Sequence, residues 1–241
     1  MGYGLPSPPD AIYRIDETVE VYIAAPGGSW EVAGGYSLTL DLGFEMEPGG
    51  MRARGIVESF EGSLSDPLGD LGYLVGTIEF VANPGGVVEV ESFPRLSGLS
   101  ARELSLAGLP YDLFPRLPGD TASAGATWAD TVSWHTDQEE AEQSYIAKYT
   151  YMLVGDTVVD GRNLLHIAVA GEIEFFTAWD EPGNLLVRRL KGPLTGFILW
   201  DPERGLVTHH EYEKDLVGTV TREDSSFKAS LSGRRRMHLG R

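Results

Sequence analysis

Two stretches of this chain share one design, and that design limits what the chain can fold into. Gly76-Thr-Ile-Glu-Phe80 and Gly86-Val-Val-Glu-Val90 flank Asn83-Pro84-Gly85, while Gly196-Phe-Ile-Leu-Trp200 and Gly205-Leu-Val-Thr-His209 flank Asp201-Pro202-Glu203-Arg204. In both, a β-rich run enters a Pro/Gly turn and leaves as another β-rich run, a hairpin pattern with its turn chemistry present. Upstream, Tyr36 to Leu42 precedes Pro48-Gly49-Gly50 much as Tyr149 to Leu153 precedes Asp160-Gly161. The pattern predicts two related halves, an internal duplication, each a meander of strands.

Alternation supplies the strands between the turns. In Ile12 to Ile23, Val19, Val21 and Ile23 oppose Glu20 and Tyr22. After Trp30 to Val32, the run Tyr36 to Met46 sets Leu38, Leu40, Leu42 and Phe44 on one face against Thr39, Asp41, Gly43 and Glu45. Met51 to Phe60 follows, then a loop over residues 61–72. In Gln143 to Val154, Tyr145, Ala147, Tyr149 and Tyr151 alternate with Ile146, Lys148, Thr150 and Met152. Leu164 to Val169 and Glu172 to Trp179 form a pair around Gly171, with further strands over Gly183 to Leu190, Leu216 to Arg222 and Phe227 to Leu231. With 30 Gly and 14 Pro as turn punctuation, many short strands are favoured over long helices.

One helix is predicted between the halves, with Ser100 as N-cap, Glu103 at the capping-box position and Gly108-Leu109-Pro110 as its stop. Leu113-Phe-Pro-Arg-Leu-Pro-Gly119 is too proline-rich for regular structure and too apolar for a free linker, so it is expected as a strap across a sheet edge. The fold class is therefore all-β, a large curved, mostly antiparallel sheet, half-barrel or sandwich, of about a dozen strands. The expected divisions are an N-terminal tether (1–10), a first β half (11–94), the helix and strap (95–124) and a second β half (125–241), packed as one continuous body.

A net charge of −17 disfavours nucleic acid and anionic lipid surfaces as partners, since like charges repel. Residues 1–120 carry 18 acidic and 6 basic side chains, and the basic run Arg234-Arg235-Arg236 reads as a local, terminal feature. There is no cysteine, which removes disulfides, thiolate metal sites and a thiol nucleophile. The opening Met1-Gly-Tyr-Gly-Leu-Pro-Ser-Pro-Pro has neither a charged nor an apolar segment of signal type, so any membrane attachment is expected through an anchor missing from this sequence.

Candidate chemistry is sparse. His209, Glu211 and Glu213 share one strand face and His210 and Tyr212 the other, so His209 and Glu211 are weak metal candidates. The plainer reading is a solvated strand end beside Lys214 and Asp215. Ser225-Ser-Phe-Lys228 has the spacing of a Ser-x-x-Lys pair but lies in a turn and strand, where the amine does not reach the hydroxyl. Asp156 to Asn163 resembles a calcium loop, yet Val158 and Ile167 stand where oxygen ligands belong. No carboxylate pair stands out, and no enzyme activity, cofactor or resident metal is expected.

Gly125-Ala-Thr-Trp128-Ala-Asp130-Thr131 after the Phe-Pro-Arg-Leu-Pro segment, Val154-Gly-Asp-Thr-Val-Val-Asp-Gly161 and the Trp200-Asp201 hairpin resemble an uncharacterised group of bacterial secreted proteins and lipoproteins. The resemblance covers most of the chain and implies an envelope location but no activity. The sequence departs from the group in lacking the signal and its cysteine. The expected architecture is also analogous to the half-barrels of lipoprotein and lipid carriers, an analogy that does not itself carry function.

A sheet of this many strands must curl and present a concave apolar face. Leu38, Leu40, Leu42 and Phe44 from one half and Tyr145, Tyr149 and Tyr151 (or the Ile146 face) from the other are the candidate lining. The expected partner is a lipid or other uncharged hydrophobic molecule, because these faces offer few fixed positive groups. A protein partner has no signature of its own, and an interaction module and a hydrolase rank as second and third readings.

Overall fold

The structure, a computed structural model, describes residues 1–25, 28–64, 74–96, 105–118, 122–138, 141–181 and 184–240. Its strands are β1 (Asp10–Ala25), β2 (Gly28–Glu47), β3 (Gly50–Leu64), β4 (Leu74–Val75), β5 (Ile78–Ala82), β6 (Val88–Ser92), β7 (Arg95–Leu96), β8 (Thr127–Gln138), β9 (Ala141–Val159), β10 (Arg162–Glu181), β11 (Asn184–Asp201), β12 (Leu206–Arg222) and β13 (Ser225–Leu239); among the described residues one helix, α1, spans Leu109–Leu113. Eleven strands form one antiparallel sheet in the order β6-β5-β3-β2-β1-β13-β12-β11-β10-β9-β8, and β4 pairs with β7 in a separate two-stranded ladder. The sheet curls into a half-barrel.

The first and last strands meet at the centre of the sheet. Tyr13 to Ile23 of β1 pair with Leu239 to Ala229 of β13, so the two halves extend as arms from this seam to free edges at β6 and β8. The chain between β6 and β8 must pass from one edge to the other. It does so with Leu106, Leu109, Leu113 and Phe114 buried in the common core. The predicted strap is present and ties both edges: Leu117 N donates to Gly85 O in the β5–β6 turn (3.0 Å), and Trp128 Nε1 of β8 donates to Arg116 O (2.9 Å). The opening residues expected as a tether pack on this strap, with Tyr3 N bonded to Pro84 O, Tyr3 Oη to Pro115 O and its ring against Phe114.

Alternation decides which face points inward. Tyr13, Ile15, Val19 and Val21 of β1 and Leu38, Leu40, Leu42 and Phe44 of β2 are buried, and on β9 it is the Tyr145 face, not the Ile146 face, that turns inward. Outward positions carry Arg14, Glu20, Asp41, Glu172, Lys191 and Glu213, with cross-strand pairs such as Lys191 to Glu172 (3.3 Å) and Glu174 (3.2 Å). Such a face belongs in water, since each basic side chain held in the middle of a bilayer would cost about 2–4 kcal/mol.

Both expected hairpins form, with the same turn chemistry. Asn83 Oδ1 accepts from the N–H groups of Gly85 and Val87, and Asp201 Oδ1 accepts from those of Glu203 and Arg204. The β5–β6 hairpin closes an edge of the sheet, whereas β11–β12 lies inside it between β10 and β13.

Several strands are longer than their sequence pattern indicated. The pair expected around Gly171 is one strand, β10, and the runs 183–190 and 196–200 merge into β11 across Gly192-Pro193. These glycines are sites of close approach, not turns. A Cβ on Gly196 would lie 2.1 Å from Glu211 O and one on Gly218 would lie 1.9 Å from Arg189 O, so the β11–β12 ribbon coils tightly where side chains are missing.

The helix predicted from Ser100 falls mostly outside the described residues. Ser100 to Leu104 lie outside the described residues, Ser105 to Ala107 are not helical, and α1 begins where a stop was predicted. Pro110 sits in the first turn, where its missing N–H has no intrahelical partner to lose and its fixed φ suits a helix start.

Gly218→Ala should lower stability by about 1–3 kcal/mol or more through backbone overpacking, read as a fall in the urea midpoint. Trp200→Ala should cost about 3–5 kcal/mol, because Trp200 is 3% exposed; half-buried Trp128, which stacks on Tyr151 at 5.5 Å, should cost less. Unchanged midpoints would contradict these assignments.

Candidate functional site

The row of residues that crosses the seam breaks the apolar pattern of the concave face. On β1 the inward series Tyr13, Ile15, Glu17, Val19 carries an acid; on β13 the series Ala229, Leu231, Gly233, Arg235, Met237 carries a base. Glu17 and Arg235 are direct register partners. Glu17 also faces Tyr36 on β2, and Arg235 faces Tyr212 on β12. Continuing outward, Tyr212 faces Gly196, Gly196 faces Val169, Val169 faces Tyr151, and Tyr151 faces Trp128. One transverse layer of the sheet therefore holds an ion pair bracketed by aromatic rings, with Arg235 5.7 Å above the Tyr212 ring.

Two more charges complete the cluster. Lys214, inward on β12, donates to Glu17 Oε1 at 3.0 Å, while Arg235 Nε and Nη2 donate to Glu17 Oε2 at 3.0 and 2.5 Å. From α1, Asp112 Oδ2 accepts from Arg235 Nη1 at 2.5 Å. Two acids thus face two bases, each cation donating to an acid, which is what burial of charge requires. Burial alone would raise the Glu17 pKa, but Arg235 and Lys214 outweigh it and hold the carboxyl at about 2. Burial opposes the charge on Arg235, yet Glu17, Tyr212, Tyr36 and Asp112 together push its pKa well above the ordinary guanidinium value.

His210 fastens the same helix. Its Nδ1 lies 3.1 Å from Asp112 O, and because a carbonyl only accepts, the ring carries its proton on Nδ1. Burial lowers its pKa, so the ring is neutral at pH 7.

Beside the cluster lies a cavity of about 50 Å³. Glu17, Asp112, Lys214 and Arg235 form its polar side; Trp134, Tyr145, Tyr149, Phe175, Leu216 and Leu231 form much of the rest. Trp134 stacks on Tyr145 at 5.2 Å with planes 7° apart, and the Tyr145 and Tyr149 hydroxyls share a hydrogen bond of 2.9 Å. Burial raises the pKa of both phenols, which keeps them protonated.

The candidate lining residues fall into two groups. Tyr145 and Tyr149 border the cavity; Tyr151 stacks on Trp128 instead. Leu38, Leu40, Leu42 and Phe44 are inward as expected and buried in the common core, with Phe44 edge-on to Phe114 of the crossing segment at 6.1 Å. The weak metal candidates are engaged elsewhere: Glu211 bonds Arg234 and Arg236, and His209 packs edge-on to His238. Among the described residues no group of three His, Cys, Asp or Glu could hold a metal ion.

The expectation that the concave face offers few positive groups is corrected. Arg235 is not a local, terminal base but is fully embedded, Lys214 points inward, and Arg188 of β11 is buried between Phe175 and Trp179. The signal was present in the alternation, which continues from Ala229 and Leu231 through Arg235 to Met237, and from Ile15 through Glu17 to Val19. Asp112 carried no such signal, because it lies in a short helix of the crossing segment, where no strand alternation marks the inward side.

No protein-family model matches the chain, and no curated protein matches it. Among solved structures it is similar to OccK9 (OpdG) of Pseudomonas aeruginosa, with 8% identity, a TM-score of 0.24, and 98% of this chain and 100% of that chain covered. OpdK of Pseudomonas aeruginosa with vanillate gives 8% identity and a TM-score of 0.23 over 98% and 100% of the two chains. The translocator domain of the autotransporter NalP from Neisseria meningitidis gives 9% and 0.20 over 95% and 88%. These are weak likenesses to outer-membrane barrel and translocator proteins, and with TM-scores this low they carry no argument about activity, ligand or compartment.

Acid should weaken the fold in a defined order. His210 is held below 6.5, so its contribution begins to be lost as the pH falls below about 6.5. Glu17 is lowered from 4.5 to about 2, so its contribution is complete above 4.5 and is lost as the pH falls through about 2. Glu17→Gln should cost about 3–5 kcal/mol at pH 7 by leaving buried cations without their acid. The gap between variant and wild type in urea midpoint should narrow toward pH 2; a constant gap would show that Glu17 is not the titrating group.

Proposed function

We propose that this is a non-enzymatic protein of the cell envelope that holds a lipid or other hydrophobic molecule in the concave side of its half-barrel. The observation that carries the reading is the cavity bounded by Trp134, Tyr145, Tyr149 and Phe175 on the sheet and closed by Gly108, Tyr111 and Asp112 of the crossing segment. Binding sites for small molecules combine apolar and aromatic walls with a few convergent polar groups, and this cavity has both. At about 50 Å³ it is far too small for a lipid, since a cavity of roughly 150 Å³ is filled by benzene. A lipid therefore enters by displacing part of residues 105–118, which already occupy the apolar face it would use.

The envelope placement is supported by the resemblance of the Gly125 to Thr131 and Trp200-Asp201 segments to bacterial secreted proteins and lipoproteins. The outer sheet face, with its charged cross-strand pairs, suits a body standing in water. The cluster itself favours binding over catalysis, because its two acids and two bases neutralise one another.

A second reading, an interaction module, has its own support. Ile146, Met152, Val154 and Val158 of β9 are exposed among Lys148, Thr150 and Asp156 close to the free edge at β8, and a mixed face of that kind suits a protein contact.

Native mass spectrometry of protein extracted without detergent should show a co-purifying lipid-sized molecule, and a lipophilic dye should bind saturably and be displaced by lipid. Failure of both measurements would overturn the ligand reading and put the interaction module ahead.

A further inference from the structure

Residues 105–118 fill the concave face, and their chemistry describes what can replace them. Leu106, Leu109, Leu113, Phe114 and Leu117 are each at most 4% exposed, so the segment presents an apolar front to the sheet. Within that front stands Asp112, whose Oδ2 is 2.5 Å from Arg235 Nη1. A buried ion pair carries a desolvation penalty that apolar side chains of the same volume avoid. Filling the barrel alone therefore does not call for an acid at position 112.

The two acids of the cluster belong to different parts of the molecule. Glu17 is on β1 and keeps Arg235 Nε and Nη2 and Lys214 Nζ whatever the segment does. Asp112 travels with α1. When α1 leaves, Glu17, Lys214 and Arg235 remain on the sheet with one net positive charge, and Arg235 Nη1 loses its acceptor. A neutral ligand closing over that site would bury an uncompensated cation, which costs several kcal/mol. A ligand with one negative charge restores the balance, whereas a dianion leaves an excess negative charge in its place. The vacated edge is Nη1, beside the Nη2 that donates to Ser105 O of the same segment at 3.4 Å, an edge that suits one carboxylate, and Tyr145, Tyr149 and Tyr212 line the same cavity.

We propose that the pocket takes a long-chain monocarboxylate, a fatty-acid-like amphiphile whose carboxylate replaces that of Asp112 on Arg235 and whose chain replaces the apolar side chains of the crossing segment. The inference rests on the hydrophobic-ligand reading above and narrows it from uncharged lipids to a single anionic headgroup. Asp112 is then an internal surrogate for the ligand, holding the segment in place until the ligand competes it away.

The test uses the full chain stripped of bound lipid, at pH 8, in dye-displacement titrations with palmitate, hexadecanol and hexadecyl phosphate, which share a chain length and differ in headgroup. Palmitate should bind at least about tenfold more tightly than hexadecanol, equivalent to about 1.4 kcal/mol, and more tightly than the phosphate. Asp112→Asn should tighten palmitate about tenfold by releasing the competing carboxylate, and Arg235→Met should abolish the preference for palmitate over hexadecanol. Equal binding of palmitate and hexadecanol to the wild type would overturn the proposal while leaving the hydrophobic-ligand reading standing; binding of none of the three would overturn both. Preference for the phosphate would overturn the monocarboxylate assignment, and an unchanged palmitate affinity in Asp112→Asn would overturn the displacement of Asp112. The wild-type comparison needs no substitution, so it decides the headgroup even if a variant misfolds.

Discussion

The pairing of Glu17 with Arg235 joins residues 218 positions apart at the centre of the sheet, and the rest of the architecture depends on it. β1 and β13 are the innermost strands, so each arm is built outward from this seam. A slip of two residues would keep the apolar side chains of both strands inward but separate Glu17 from Arg235. The ion pair therefore marks one register among several with similar apolar content. It also makes closure of the sheet a long-range event, since the first strand must wait for the last.

Curvature follows from the placement of small residues. Where β11 and β12 approach, Gly196 and Gly218 let backbone carbonyls occupy the space a side chain would take, and the ribbon coils. Gly196 lies in the same transverse layer as Tyr212 and Arg235, so the close approach of β11 and β12 falls at the height of the ion pair.

Much of this fold could be read from alternation and turn chemistry. The Leu38 to Phe44 face and both Asx-Pro hairpins lie where period-two patterning and Asn or Asp before proline put them, while on β9 the pattern left the Tyr145 and Ile146 faces as alternatives. Strand length was harder to read, because Gly171 and Gly192-Pro193 look like punctuation in a local window and become close-approach positions only when a neighbouring strand is present. Half of the site was legible on the same terms. Glu17 and Arg235 occupy inward positions of their strands, and a charge in an apolar series is a signal once the series is extended far enough. Asp112 and the cavity were not legible, since they arise from a non-repeating segment folded against strands far away in sequence.

The crossing segment is a consequence of the topology. Because both arms grow outward from a central seam, β6 and β8 end at opposite edges, and the chain joining them has either to go round the outside or to pass through the concavity. The outer face carries charged side chains and offers an apolar strap little to pack on, whereas the inner face is apolar and unfilled. Leu106, Leu109, Leu113, Phe114 and Leu117 therefore go inside, and the connection becomes the core filler of the sheet it connects. Its hold is polar as well as apolar: Asp112 on Arg235, His210 on Asp112 O, and Tyr3 and Trp128 on the carbonyls of Pro115 and Arg116. The bonds to Pro115 and Arg116 pin the strap across the sheet edges, and those to Asp112 pin α1 over the cavity. Fastening at separate points is what the proposed exchange would use, with α1 leaving Arg235 while Tyr3, Leu117 and Trp128 hold the strap across the edges.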